Sequence, residues 1–182
     1  TGLKKQSLGQ DQDCRLDLDN LSPIIQRFNP YFSDHQWNAK SRIEMARLGE
    51  DRLMVITQDG CKRHHIRFTL IIDPGSVTDP FQPQFWEEET NSLLFKAYYG
   101  QKAYNRFGKE FENAFKRKFR SYGLNQSFNF PIGTRNFLCE LLYDPQKGGK
   151  ITIEIVSFIF RETIKEARIG IPREKDDGWK GQ

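Results

Sequence analysis

Three groups of residues in this chain could do chemistry by virtue of type and spacing. The first is the run CKRHHIRFTLIID from Cys61 to Asp73, which holds Lys62, Arg63, His64, His65 and Arg67 within six positions. A histidine can move a proton near neutral pH, and a neighbouring cation can hold the charge that develops on a phosphodiester. His64 or His65 with Lys62 or Arg67 would therefore suit a phosphodiester-cleaving enzyme. Adjacent residues on a strand point to opposite faces, however, so the two histidines cannot act as one pair, and nothing in the sequence brings His35 to them. The second group is Glu140 and Glu154, carboxylates on two runs that read as paired strands. Facing carboxylates serve acid–base or metal chemistry, but no histidine or third acid accompanies these, and a solvated pair is the preferred reading. The third is the cluster KRKFR, with Lys116, Arg117, Lys118 and Arg120. Cations near a helix C-terminus are favoured by the macrodipole without any ligand, which accounts for some of this charge but does not require so tight a cluster.

The elements around the first group decide what it can do. Two β-branched runs flank Asp59-Gly60, a dipeptide suited to a type I′ hairpin turn. A two-residue turn there sets Arg52 opposite Arg67 and Val55 opposite His64. One face then carries Leu53, Val55, His64, Ile66, Phe68 and Leu70; the other carries Arg52, Met54, Ile56, Arg63, His65, Arg67 and Thr69. Like charges facing each other cost stability unless an anion offsets them, so the second face is read as an anion-attracting plate, the alternative being an ordinary solvated strand face whose charges water screens. Upstream, WNAKSRIEMAR alternates with period two from Trp37 and predicts a strand. Lys40 and Arg42 join the plate or leave it according to the turn between Leu48 and Arg52, since a one-residue slip changes their face.

The proline-rich stretch after Asp73 is a loop, and helix follows. Glu87, Glu88 and Glu89 are placed in its first turn, while Leu94, Tyr98, Tyr104, Phe107, Phe111, Phe115, Phe119 and Tyr122 form an apolar stripe facing a sheet. Gly100 divides this region into two helices. Beyond Gly123, FNFPIGTRNFLCELLYD gives a short strand, a turn near Gly133 and a strand whose Phe137, Cys139, Leu141 and Tyr143 share one face. ITIEIVSFIF then pairs with it through Ile151, Ile153 and Ile155.

The fold class is therefore α+β, antiparallel meanders separated by a long basic helical region. Residues 1–27 are expected to form a flexible polar arm, 28–168 a single domain that can be divided into halves at 28–122 and 124–168, and 169–182 a charged tail bearing Trp179. The order of elements resembles, in outline, the Whirly and PUR-type single-stranded nucleic-acid binders, whose halves each run through strands into a helix. No lysine-glycine-lysine signature of the Whirly type is present, so no residue role is carried over.

Composition bounds the function. The cysteines Cys14, Cys61 and Cys139 are few, odd in number and far apart, which suggests neither a disulfide framework nor a metal site and points to a reducing, intracellular compartment. The longest apolar stretch, around Ile155 to Phe160, falls far short of the ~20 residues of a membrane span, and a soluble chain is expected. The chain opens on Thr1, which leaves open whether a targeting peptide was removed ahead of it. The net charge of +4 is unevenly spread: residues 76–100 carry −3 and residues 101–125 carry +5. Concentrated positive charge is the footprint phosphate requires. The leading reading is a nucleic-acid binder, RNA preferred over DNA, with Arg52, Arg63, His65, Arg67, Lys40, Arg42, Lys116, Arg117, Lys118 and Arg120 contacting the phosphate backbone. No cofactor, metal or membrane is expected, and an oligomer of like or unlike chains is. The other readings are an assembly module, such as a viral or organellar structural protein, and the histidine-dependent enzyme.

Overall fold

The structure is a computed structural model that describes residues 20–158. Residues 1–19 of the arm, residues 159–168 of the domain and the charged tail with Trp179 lie outside the described residues. Seven antiparallel strands form one sheet in the order β1-β2-β3-β4-β7-β6-β5. Strands β1 (Ser33–Asn38), β2 (Ile43–Arg47), β3 (Arg52–Gly60) and β4 (Arg63–Ile72) step from one edge to the centre. The chain then crosses one face as α1 (Pro83–Ala97), α2 (Lys102–Asn105) and α3 (Gly108–Tyr122). It returns from the far edge through β5 (Gln126–Ile132), β6 (Arg135–Asp144) and β7 (Gly148–Phe158). Because β7 pairs with β4, both strand blocks merge into one sheet. Among the described residues the helices follow the first block.

The helical layer explains the core. Phe111, Phe115 and Phe119 recur every four residues on α3 and are buried against Phe128, Phe130 and Phe137 of β5 and β6. Trp86, Leu93, Leu94 and Ala97 of α1 are buried with them. Gly100, at φ +75°, does separate α1 from the next helix. Two expectations fail locally. Helix α1 begins at Pro83, so Glu87 to Glu89 lie in its second turn. The alternating run from Trp37 is a hairpin rather than one strand. The Asn38 side chain accepts the Ser41 amide at 3.0 Å and Arg42 adopts φ +58°, so the chain reverses between β1 and β2. The end of the polar arm is pinned as well: Ile25 is buried, and the Gln58 side chain donates to the Ser22 carbonyl.

Both sheet edges are blunted against strand addition. Strand β5 carries Pro131, and β1 is irregular between Ser33 and Gln36. No helix among the described residues is long and apolar enough to cross a membrane.

Candidate nucleic-acid interface

The register of β3 and β4 decides which cations share a surface, and it differs from the expected one. Arg52 pairs with Ile72, Met54 with Leu70, Ile56 with Phe68 and Thr57 with Arg67; the last pair before the tip is Gly60 with His64. The bend therefore lies over Cys61 and Lys62 rather than at Asp59-Gly60. The slip covers an odd number of residues, so each strand's alternation is as read but the faces of the two strands are combined the other way. The core fixes this choice: Met54, Ile56, Phe68, Leu70 and Ile72 are all fully buried under the helices. Gly60 stays within the ladder at φ +118°, where an added Cβ would lie 1.9 Å from the Arg63 carbonyl oxygen.

The consequence is that the expected plate does not assemble. Arg52 lies on the helix-covered face, not opposite Arg67. Its guanidinium grips both oxygens of Glu89 on α1, at 2.6 and 3.1 Å, and also bonds Asp51. The Glu89 bond, then the Asp51 contact, raise the Arg52 pKa against the effect of burial. Asp51 is held below the usual carboxylate range by its hydrogen bond from Ser76, with Arg52 assisting against burial. Arg63, His65 and Arg67 do alternate on the open face of the sheet. Two of them converge on one acid, however: Glu154 of β7 accepts from His65 Nδ1 at 2.9 Å and from Arg67 at 3.0 Å. Burial pushes the Glu154 carboxyl up, but these two bonds and the charges behind them outweigh it and hold it below the usual carboxylate range. A depression of about 390 Å³ on this face is bordered by Arg67 and Lys150 but equally by Glu140 and Glu154. The depression is thus balanced in charge. Glu140 lies opposite Thr152 and Glu154 opposite Leu138, so the two carboxylates are on the same face without facing each other.

The remaining sheet residues separate further. Lys40 and Arg42 sit in the β1–β2 turn, outside both strands. The Arg42 Nε is buried without a hydrogen-bond partner. His64 faces the core side, where burial, then the charge of His65, lowers its pKa; Asp59 opposes them. His35 is bound at 2.6 Å to Glu44, a fully buried carboxylate that also accepts the Ile24 and Ile25 amides at 2.8 and 2.9 Å. The three histidines therefore occupy three separate environments. Among the described residues no group of three His, Cys, Asp or Glu side chains is placed to hold a metal. Cys61 is disulfide-bonded, which corrects the reading of the cysteines as unpaired and weakens the argument for a reducing compartment that rested on them. Cys139 is a free thiol in the core, its pKa raised by burial.

The helical cluster is a different matter. Lys102 and Arg106 at α2, with Lys109, Lys116, Arg117, Lys118 and Arg120 on α3, are all exposed, while Phe111, Phe115 and Phe119 take the opposite side of α3 into the core. Glu87, buried between α1 and α3, accepts Arg120 Nε at 2.8 Å and lies 3.8 Å from Lys116. Glu112 takes Lys109 at 3.1 Å. Lys118 stands over the Tyr122 ring. No salt bridge joins Lys102, Arg106, Arg117 or Lys118 to an acid among the described residues. The cluster is visible as a run of neighbours, but its acids are not: Glu87, Glu89 and Glu154 sit far along the chain from the cations they bind.

Comparison with protein-family models, curated proteins and solved structures finds no match for this chain.

Proposed function

We propose that this protein binds nucleic acid through its phosphate backbone, with the solvent side of α2 and α3 as the interface. The observation that carries the reading is the excess of cations there: seven exposed basic side chains between Lys102 and Arg120 against Glu110 and Glu112. Four of the seven have no acidic partner of their own among the described residues. A helix that spreads its cations over an exposed arc and is anchored by buried phenylalanines is a rigid support for phosphate contacts. Such contacts give affinity with little sequence preference and a steep dependence on salt. The sheet cations are left out of the interface, Glu154 already engaging His65 and Arg67. A sheet-centred mode of the Whirly or PUR kind is correspondingly less favoured than a helix-centred one. Self-assembly through strand edges is the weaker alternative, given Pro131 on one edge and the irregularity on the other.

The test is a fluorescence-anisotropy titration of a labelled twenty-nucleotide RNA at several salt concentrations. The reading expects affinity that falls linearly on a log–log plot. Absence of binding at low salt, or a flat plot, ends it.

A further inference from the structure

We propose that Tyr31, Phe95 and Tyr99 form a base-stacking platform, so that the ligand of the α2–α3 ridge is single-stranded; the inference rests on the nucleic-acid reading above. The three rings are 37, 44 and 41% exposed. They meet edge to face, Tyr31 to Tyr99 at 5.2 Å, Tyr31 to Phe95 at 6.2 Å and Phe95 to Tyr99 at 6.4 Å. Large rings left at the surface in a group mark an interaction site more often than a scattered single one does.

The platform is held in place before any ligand arrives. Asn29 donates to the Lys96 carbonyl at 2.7 Å and accepts the Tyr31 amide at 3.0 Å, fixing the 29–31 segment against the end of α1. Preformed rings stack a base without a large ordering cost. The surroundings supply the charge that selects the occupant. Lys96 Nζ lies over the Tyr31 ring at 5.7 Å. Phe95 meets Tyr104 at 5.8 Å, and Tyr104 lies so close over Gly108 that a Cβ there would come within 2.6 Å of its ring. The aromatic surface therefore runs to the start of α3, where Lys102, Arg106 and Lys109 begin the cationic ridge. Rings followed directly by cations suit a polyanion with unpaired planar faces. A duplex hides its base faces, and a proline-rich peptide, which also uses aromatic surfaces, brings no charge to match these lysines and arginines.

The experiment is an anisotropy titration at one low salt concentration with three labelled twelve-nucleotide probes: a single strand, the same sequence as a duplex, and an abasic strand. Stacking contributes per base an effect of roughly five- to 150-fold in affinity. The wild-type protein is expected to bind the base-bearing strand at least about tenfold more tightly than the abasic one. Tyr99→Ala and Tyr99→Leu, each checked by circular dichroism for an unchanged melt, are expected to remove most of that preference and leave abasic binding as it was. Equal binding of the base-bearing and abasic strands, or Tyr99 variants that keep the preference, overturns the platform while the ridge stands. Failure of the wild-type protein to bind any of the three probes overturns both. A proline-rich decapeptide that binds and is lost in Tyr99→Ala, with the oligonucleotides unaffected, overturns the platform in favour of a peptide site.

Discussion

Replacing Lys116, Arg117 and Lys118 together by glutamine tests the ridge at its densest point. Arg120 is spared because Glu87, buried beneath it, would be left without its main partner. The magnitude follows from counting cations. If all seven side chains from Lys102 to Arg120 meet phosphate, a single strand should give a log–log salt slope of about −5, and the triple variant about −3. Between 50 and 200 mM salt the wild-type protein would then lose roughly 900-fold in affinity and the variant roughly 50-fold. If the cations already held by Glu87 and Glu112 take no part, four remain. The slope is then about −3 for wild type and about −1.4 for the variant. In either case the change on substitution lies between about 1.4 and 2, and that difference is the quantity to measure. Anisotropy titrations with one labelled RNA at four salt concentrations suffice. Arg67→Gln, on the open sheet face and engaged by Glu154, serves as the control and should leave the slope where it is. A triple variant with the wild-type slope, or a slope that falls in Arg67→Gln instead, refutes the reasoning.

Other consequences concern the scaffold. Glu44→Ala leaves the Ile24 and Ile25 amides and the His35 ring without their buried acceptor, and should cost about 2–5 kcal/mol in urea denaturation. His64 titrates below its ordinary 6.5 in the folded chain, so the unfolded chain takes up a proton first as pH falls. Stability contributed by its neutral form should therefore decline on acidification from about pH 6.5 down to the folded pKa, and His64→Asn should flatten that part of a plot of stability against pH. Gly148 has φ +84° and would bring a Cβ to 2.0 Å from the Ile72 carbonyl oxygen, so Gly148→Ala should destabilise by more than about 1 kcal/mol, read as a lowered melting temperature.

Local periodicity carried much of the fold. The core faces of β6 and β7, the division of the helices at Gly100 and the aromatic stripe of α3 could all be read from spacing, because burial of one face imposes period two or nearly four on the chain itself. Pairing between strands could not. Asp59-Gly60 carries the chemistry of a tight turn, yet packing of Met54 and Ile56 against Phe68 and Leu70 moved the bend to Cys61-Lys62 and combined the faces differently. A local preference worth a fraction of a kcal/mol yields to the burial of several large side chains. Asn38 shows the converse, a turn chemistry hidden inside an alternating run, where a short side-chain bond to Ser41 outweighed the periodicity around it. For the candidate interface, the basic cluster on α3 was visible as composition, whereas the acids that engage Arg52, His65 and Arg67 come from α1 and β7 and exist as neighbours only once the chain is folded. The exposed rings Tyr31, Phe95 and Tyr99 were missed; the dipeptide Tyr98-Tyr99 before Gly100 was the available hint, since only one of two adjacent helix-end aromatics can face the core.

The most direct measurement is lysine footprinting: acetylation of the protein with and without a saturating twenty-nucleotide RNA, read by mass spectrometry. The account predicts lowered reactivity at Lys102, Lys109, Lys116 and Lys118, with Lys40 in the β1–β2 turn and Lys150 on the open sheet face unchanged. Protection confined to Lys150, or no protection on α2 and α3 while RNA is bound, would contradict it.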